Sequence, residues 1–183
     1  MANPTKKILA DSLKEIMKTK SLSRISIEDI TGKCGLKRQT FYYHFADKYK
    51  LVNWIFDREV LDNVEHYLKY ESWDKGLEMV YHIVEDNSPF YLNALQDNFS
   101  YFYMHLMQTQ RSITYSLIED LLEGRTIEKN DSDFLADFYA NALVGTFISW
   151  VNSGMREPGS KVIDRLRKII RGTLKNSMAS YIK

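Results

Sequence analysis

Residues 37–45 combine cationic, amide and phenolic side chains at the spacing of a short helix. Arg38 and Gln39 stand at its start and carry hydrogen-bonding groups that pair with the edges of guanine and adenine. Tyr43, about one turn further on, can contact a thymine methyl group or the sugar-phosphate backbone. If a helix presents these residues on one side, their chemistry suits reading the major groove of double-stranded DNA.

Residues suited to catalysis or metal binding form no comparable pattern. The sequence has no Gly-rich phosphate loop, no His-Glu-x-x-His pair and no Gly-x-Ser-x-Gly elbow. Its histidines are His44, His66, His82 and His105, and they lack the spacing of metal ligands. A single cysteine, Cys34, cannot form an intramolecular disulfide or a site of several thiolates. We therefore predict no enzyme activity, no metal and no cofactor.

Charge is distributed unevenly along the chain, although the formal net charge is only +1. Residues 1–50 hold 11 Lys and Arg against 5 Asp and Glu, whereas residues 51–183 hold 14 against 19. Because phosphates attract Lys and Arg where they cluster, this pattern indicates a polyanion-binding head, residues 1–50, on an acidic body, residues 51–183. A chance fluctuation across a solvated surface is the alternative.

The sequence predicts an all-helical chain, because 8 Gly and 3 Pro are too few for the turns of a β-sandwich or barrel. Asn3 is predicted to cap the first helix, and Ser26 with Asp29 forms a capping box that opens a short second one. Gly35 is expected to end that helix with a positive φ, and residues 37–45 then form a third. Two short helices joined by a turn with glycine are the helix-turn-helix arrangement.

Longer helices are predicted beyond the head. Asp47 is expected to cap a fourth helix that reaches Leu68, so the boundary between head and body falls inside a helix and not in a flexible linker. The remaining predicted helices cover residues 72–85, a short stretch to 95, 98–122, 132–152 and an amphipathic helix from 160 onward.

The segment from Ser26 to Leu51 resembles the DNA-binding segment of the tetracycline-repressor (TetR) family of bacterial regulators. The residues in register with the family pattern are Ser26, Ile30, Gly35, Phe41, Tyr42, His44, Phe45, Lys48 and Leu51. The sequence departs from the pattern at Thr31 and Cys34, where Ala is usual. It departs again at Lys37, where a Ser or Thr usually begins the recognition helix.

This resemblance implies an N-terminal three-helix DNA-binding domain and a C-terminal helical bundle for dimerisation and regulation. It also implies a homodimer bound to a palindromic operator. Five positions of the family pattern contact DNA phosphates. In this sequence they hold Ser26, Thr40, Tyr42, His44 and Lys48. Together with Lys37, Arg38, Gln39 and Tyr43, they form the predicted DNA-binding set.

The penultimate helix carries apolar residues on more of its circumference than one intramolecular face needs. A helix that is apolar nearly all round must be covered twice, which favours a dimer interface formed with the last helix. The candidate interface residues are Ala142, Gly145, Thr146, Ser149, Trp150, Ile163, Leu166 and Ile170. The alternative is a central helix that is buried in a monomer.

Aromatic residues crowd the segment 101–107, and they either line an effector pocket or fill a core. The candidate effector-binding residues are Trp73, Tyr103 and His105. The body further resembles the subgroup that regulates dihydroxyacetone kinase operons. That resemblance implies a regulator of glycerol or dihydroxyacetone use, whose signal is a small molecule or a protein resembling a kinase subunit.

The longest apolar run, Ala142 to Val151, is about half of the roughly 20 residues that a membrane span requires. We therefore expect no membrane topology and a cytoplasmic location. Two other classes of protein stay open on the sequence alone, a helical adaptor for other proteins and a small-molecule enzyme, neither of which would bind DNA.

Overall fold

The computed structural model describes residues 4–97 and 99–182, and over these residues it contains helices and turns but no strand. Asn3, the predicted cap, and Asn98, the predicted start of a helix, lie outside the described residues. The helices are α1 Pro4–Met17, α2 Ile27–Lys33, α3 Arg38–His44, α4 Lys48–Phe56, α5 Asp62–Val64, α6 Trp73–Asp86, α7 Ser88–Asp97, α8 Phe99–Leu122, α9 Lys129–Asn152 and α10 Gly159–Ala179. The all-helical prediction is confirmed.

The head is built from α1, α2 and α3, and its local signals act as the sequence predicts. Ser26 accepts a hydrogen bond from the Asp29 amide at 3.0 Å, and the Ser26 amide donates to the Asp29 carboxylate at 2.8 Å. This reciprocal capping box begins α2. Gly35 follows the end of α2 with φ at 69°, a conformation that a residue with a Cβ adopts with strain. Buried Leu13, Ile30 and Phe41 contribute to the core that holds α3 in place.

The helix that leaves the head is less regular than predicted. Asp47 caps it by accepting from the Lys50 amide at 2.8 Å, but α4 ends at Phe56. A π turn, Asp57–Leu61, a short α5 and a 3₁₀ turn, Glu65–Tyr67, follow. The predicted single helix to Leu68 is therefore wrong in its second half. The buried residues Phe56, Val60 and Val64 are four apart across the π turn, a spacing that an α-helix also shows, so periodicity could not reveal it.

Helix α7 ties the head to the body. The Asn93 side chain accepts from the Leu22 amide at 2.8 Å and donates to the Met17 and Lys20 carbonyls at 3.1 and 2.9 Å. Asp97 accepts from the Ser23 amide at 2.9 Å and from the Ser21 hydroxyl. The other side of the same helix is buried in the body, with Tyr91, Ala94 and Leu95. The two parts are therefore joined twice, by α4 and by α7.

A further contact between head and body lies at the π turn. Lys14 of α1 donates to Glu59 at 2.5 Å and to Asn87 at 2.7 Å. On the body side, His105 Nε2 lies 2.6 Å from Asp57 Oδ1. The turn where the connecting helix changes geometry is thus held by an ion pair to α1 and a hydrogen bond to α8.

Helix α9 forms the centre of the body. By length and composition it could cross a membrane, yet 56% of its most apolar stretch is buried inside the fold, as in a core helix. Helix α10 packs against α6, where Asp74 accepts from Arg167 at 2.8 Å and from Arg171 at 2.9 Å. The aspartate side chain is only 6% exposed, whereas both arginines reach the surface.

Candidate nucleic-acid interface

Helix α3 has one buried side and one exposed side. Phe41 packs into the core of the head, and Thr40 and His44 are half-buried. The exposed side carries Lys37, Arg38, Gln39, Tyr42 and Tyr43. Tyr43 is 85% exposed, which is unusual for a large aromatic residue and leaves its ring free to meet a partner. The predicted base-reading residues therefore share one accessible surface.

Arg38 is held by two neighbours on this surface. One terminal nitrogen donates to Glu28 Oε1 at 2.5 Å, and the other donates to the Tyr42 hydroxyl at 3.1 Å. The guanidinium also lies over the Tyr42 ring, 5.4 Å from its centre. The hydrogen bond to Tyr42 and the negative charge of Glu28 raise the pKa of Arg38. Glu28 was not among the predicted site residues, because only the fold brings α2 beside this arginine.

The N-termini of α2 and α3 differ in how they are capped. Ser26 is exposed, and its hydroxyl oxygen accepts the capping hydrogen bond of α2. The hydroxyl can still donate its own proton to another acceptor. Lys37 is the N-cap of α3 and makes no side-chain capping bond. The substitution of Lys for the usual Ser or Thr therefore removes a cap and adds a charge, as the sequence indicated. The assignment of Ser26 and Lys37 to DNA binding stays a prediction.

Lys48 has a structural role that the sequence did not reveal. Its ammonium group donates to the carbonyls of Leu22, Ser23 and Ile25 at 2.7, 3.1 and 2.7 Å. Burial lowers its pKa. All three N–H groups of the ammonium point at the turn before α2, so this lysine fixes that turn in the free protein. Binding of a phosphate by Lys48 stays a prediction.

The candidate dimer residues divide into two groups. Ala142, Gly145 and Ser149 are exposed and Thr146 is half-buried, and they line an open groove between α9 and α10. The side chains that the structure buries within one chain are Trp150, Ile163, Leu166 and Ile170. Within one chain they are already covered in part by α6, since α10 packs against that helix and Trp150 lies on Tyr81 of α6. Their assignment to a seam between chains stays a prediction.

Two exposed aromatic residues extend the uncovered side of α9. Phe134 and Phe138 stack on each other with ring centres 6.5 Å apart, and both are more than half exposed. They lie on the same helical face as Ala142, Gly145 and Ser149, at spacings of three or four residues. Exposed apolar strips of this kind are common at protein interfaces.

The three candidate effector residues are not brought together. Trp73 is buried and lines a small apolar cavity, whereas Tyr103 stacks on Phe99 and His105 faces Asp57. A neighbouring cavity of about 50 Å³ lies between the π turn, α6, α8 and α9. This volume holds a few waters and is well below the roughly 300 Å³ of a typical ligand pocket. Within the described residues, no group of three His, Cys, Asp or Glu side chains could hold a metal ion.

Comparisons with known proteins connect both parts of the chain to regulators. Residues 9–55 match the family model of bacterial regulatory proteins of the tetR family, and residues 71–172 match that of the transcriptional regulator C-terminal region of TetR type. The HTH-type dhaKLM operon transcriptional activator DhaS of Lactococcus lactis subsp. lactis (strain IL1403) is 28% identical over 102 residues. That match covers 55% of this chain and 54% of the relative, so it spans about half the length of each.

Solved structures extend the likeness to the whole fold. The dihydroxyacetone kinase operon activator DhaS superposes with a TM-score of 0.72 at 19% identity, covering 98% of this chain and 99% of that one. NalD of Pseudomonas aeruginosa, the secondary repressor of the MexAB-OprM multidrug efflux pump, gives 0.50 at 15% identity, covering 100% and 99%. One family model covers the helix-turn-helix and the other covers more than half of the chain. The chain therefore belongs to the tetR family of bacterial transcriptional regulators.

Proposed function

We propose that this protein binds double-stranded DNA sequence-specifically through α3 and acts as a homodimer on a palindromic operator. The observation that carries the proposal is the exposed side of α3, which presents Arg38, Gln39 and Tyr43 together. Phe41, on the buried side of the same helix, anchors α3 in the core of the head. In a helix-turn-helix protein this side enters the major groove, where arginine and glutamine pair with guanine and adenine.

The proposal is tested by selecting bound duplexes from a random library and by measuring affinities for the selected site. Arg38→Ala is expected to weaken binding to that site by about 1 to 3 kcal/mol and to relax one base pair in each half-site. Arg125→Ala, which removes the same side chain from an exposed loop of the body, is the matched control and should leave the preference unchanged. Unchanged base preference in Arg38→Ala would remove that residue from the reading surface. If the chain selects no duplex, the adaptor alternative would replace this proposal.

We propose that the dimer forms through the uncovered side of α9 and the adjoining groove with α10. The exposed Phe134 and Phe138 and the small residues from Ala142 to Ser149 support this, because small residues let a partner helix approach closely. Two-fold symmetry in the protein would match the two half-sites of a palindrome.

Gly145→Glu separates this interface from the fold of one chain. A Cβ added at Gly145 meets no heavy atom within 4 Å among the described residues, so the variant should fold as the wild type does. In a dimer the same carboxylate would be buried without a partner, so we expect a monomer in analytical ultracentrifugation. Gln108→Glu adds an equal charge to the exposed side of α8 and should stay dimeric. A dimer that survives Gly145→Glu would place the interface elsewhere.

We propose that the genes under control serve dihydroxyacetone use, because the DhaS relative is named as the activator of the dhaKLM operon and the DhaS structure as the activator of a dihydroxyacetone kinase operon. Two signals are open, a small-molecule effector and a protein that resembles a kinase subunit. The small size of the cavity beside the π turn favours the protein. Since regulators of this family act on the bacterial chromosome, we place the protein in the cytoplasm.

A further inference from the structure

We propose that Glu28 is a positioning residue for base reading: it fixes the Arg38 guanidinium on α3, together with Tyr42, before DNA arrives. This inference rests on the proposed function, because it assigns a role in DNA recognition to a residue that does not itself pair with a base. No part of the predicted DNA-binding set includes Glu28.

The geometry around Arg38 supports this role. Glu28 on α2 and Tyr42 on α3 accept from different terminal nitrogens, at 2.5 and 3.1 Å, so both ends of the planar group are fixed. The Tyr42 ring adds a stacking contact, with 5.4 Å from its centre to the guanidinium carbon. These two bonds use two of the five N–H groups of the arginine, and three remain for a base. A guanidinium held in this way offers its free edge in one orientation.

Glu28 lies in the first turn of α2, where a carboxylate favours the helix, but on this surface it also carries a cost. A carboxylate on the surface that meets DNA repels phosphates, and it lowers the positive charge of the head. The pair is exposed, with side-chain accessibilities of 59% for Arg38 and 58% for Glu28, and such pairs contribute little to stability. A fixed arginine, in contrast, loses less conformational freedom when it binds a base. Preorganisation of Arg38 therefore gives the ion pair a role that its small contribution to stability does not, beside the favourable place of Glu28 at the start of α2.

A second role for Glu28 makes a different prediction. A glutamate can accept a hydrogen bond from the N4 amino group of cytosine and read a base pair directly. In that case loss of Glu28 would relax a base pair other than the one that Arg38 reads. The two roles are distinguished by the position at which the preference changes.

The experiment is a double-mutant cycle on the full chain, with base preference measured at every position of the selected site. Arg38→Ala is expected to reduce the preference at its base pair by about fivefold or more. Glu28→Ala should reduce the preference at that same base pair by about threefold or more, and adding it to Arg38→Ala should cause no further loss. Glu28→Gln keeps an acceptor oxygen and should retain more of the preference than Glu28→Ala. Affinity for non-specific duplex should stay equal or rise.

Glu15→Ala is the matched control, since Glu15 is an exposed carboxylate of the head that pairs with Lys18 on α1. It makes the same change in net charge and should leave every base preference intact. Three outcomes would overturn the inference: an unchanged preference in Glu28→Ala, a relaxed preference at a different base pair, or full additivity with Arg38→Ala. These outcomes differ from failure of the proposed function, in which the wild-type chain would select no sequence at all.

Discussion

Replacing Trp150 with alanine should lower the free energy of unfolding by about 3 to 5 kcal/mol, the range for truncating a buried large aromatic residue. Trp150 is 5% exposed, and the centre of its ring lies 4.5 Å from the ring centre of Tyr81 and 6.1 Å from that of Phe147. Its indole N–H donates to the Glu157 carbonyl at 2.8 Å and so holds the loop between α9 and α10. Urea denaturation at a fixed protein concentration measures the change.

The neighbouring Ser149→Ala provides the control for Trp150→Ala. Ser149 lies one residue away on the exposed side of α9, so its replacement should change the stability of one chain by less than about 0.5 kcal/mol. If Trp150 instead belonged to the seam between two chains, Trp150→Ala would yield a stable monomer. A well-folded monomer would therefore contradict the assignment of Trp150 to the core.

Replacing Asp74 with alanine should cost about 3 kcal/mol, the upper end of the range for hydrogen bonds to a charged group. The buried carboxylate joins α6 to α10 by accepting from both Arg167 and Arg171. Glu78→Ala is the matched control, because Glu78 lies on the same helix, is exposed, and approaches Arg167 only to 3.9 Å. It should change stability by less than about 1 kcal/mol. If both variants lost the same free energy of unfolding, burial of Asp74 would add nothing to the stability that its ion pairs provide.

The contribution of Asp74 should depend on pH in a defined direction. Burial raises the pKa of this carboxyl, but the hydrogen bond from Arg167 and the charges of both arginines outweigh it and bring the pKa below its ordinary value of 3.8. A carboxyl with a lower pKa in the folded state stabilises the protein above the pKa of the unfolded chain. That stabilisation is lost as the pH falls through the folded value.

The measurement is the difference in unfolding free energy between the wild type and Asp74→Asn across a pH series. We expect the difference to be constant from pH 7 to about 5 and to shrink progressively below that. Asp29, whose pKa its bonds to Lys20 and Ser26 lower to about 2, titrates in both proteins and cancels in the difference. A difference that stays constant down to pH 3 would show that Asp74 is not stabilised as an anion.

The head could be predicted from the sequence because its signals are local. Ser26 and Asp29 are three residues apart, and Gly35 marks a turn that requires a positive φ, so neither depends on distant parts of the chain. The contact between Arg38 and Glu28 does depend on the packing of α3 against α2. The prediction that the chain is not an enzyme is confirmed by its family, whose members are regulators.

The body could be predicted only in outline, because apolar residues on α9 look alike whether one chain or two cover them. Trp150 is covered by Tyr81 of α6, while Gly145, on the same helix, is open. Only the relative placement of α6, α9 and α10 decides between the two. The hydrogen bonds of Lys48 could not be predicted for the same reason, since its partner carbonyls precede it by more than twenty residues.

The hydrogen bonds of Asn93 and Asp97 to the backbone before α2 have a consequence for cooperativity. They satisfy amides and carbonyls at the end of α1 and in a 3₁₀ turn, Leu22–Arg24, and the bonds described give these groups no other partner within the head. These bonds cross the boundary predicted near residue 50, which stays a prediction. When α7 leaves, these partly buried groups exchange a protein partner for water and lose their packing against α7, so the segment before α2 is destabilised. We therefore expect head and body to unfold together, and opening of α7 to expose the amides of Leu22 and Ser23 to solvent exchange.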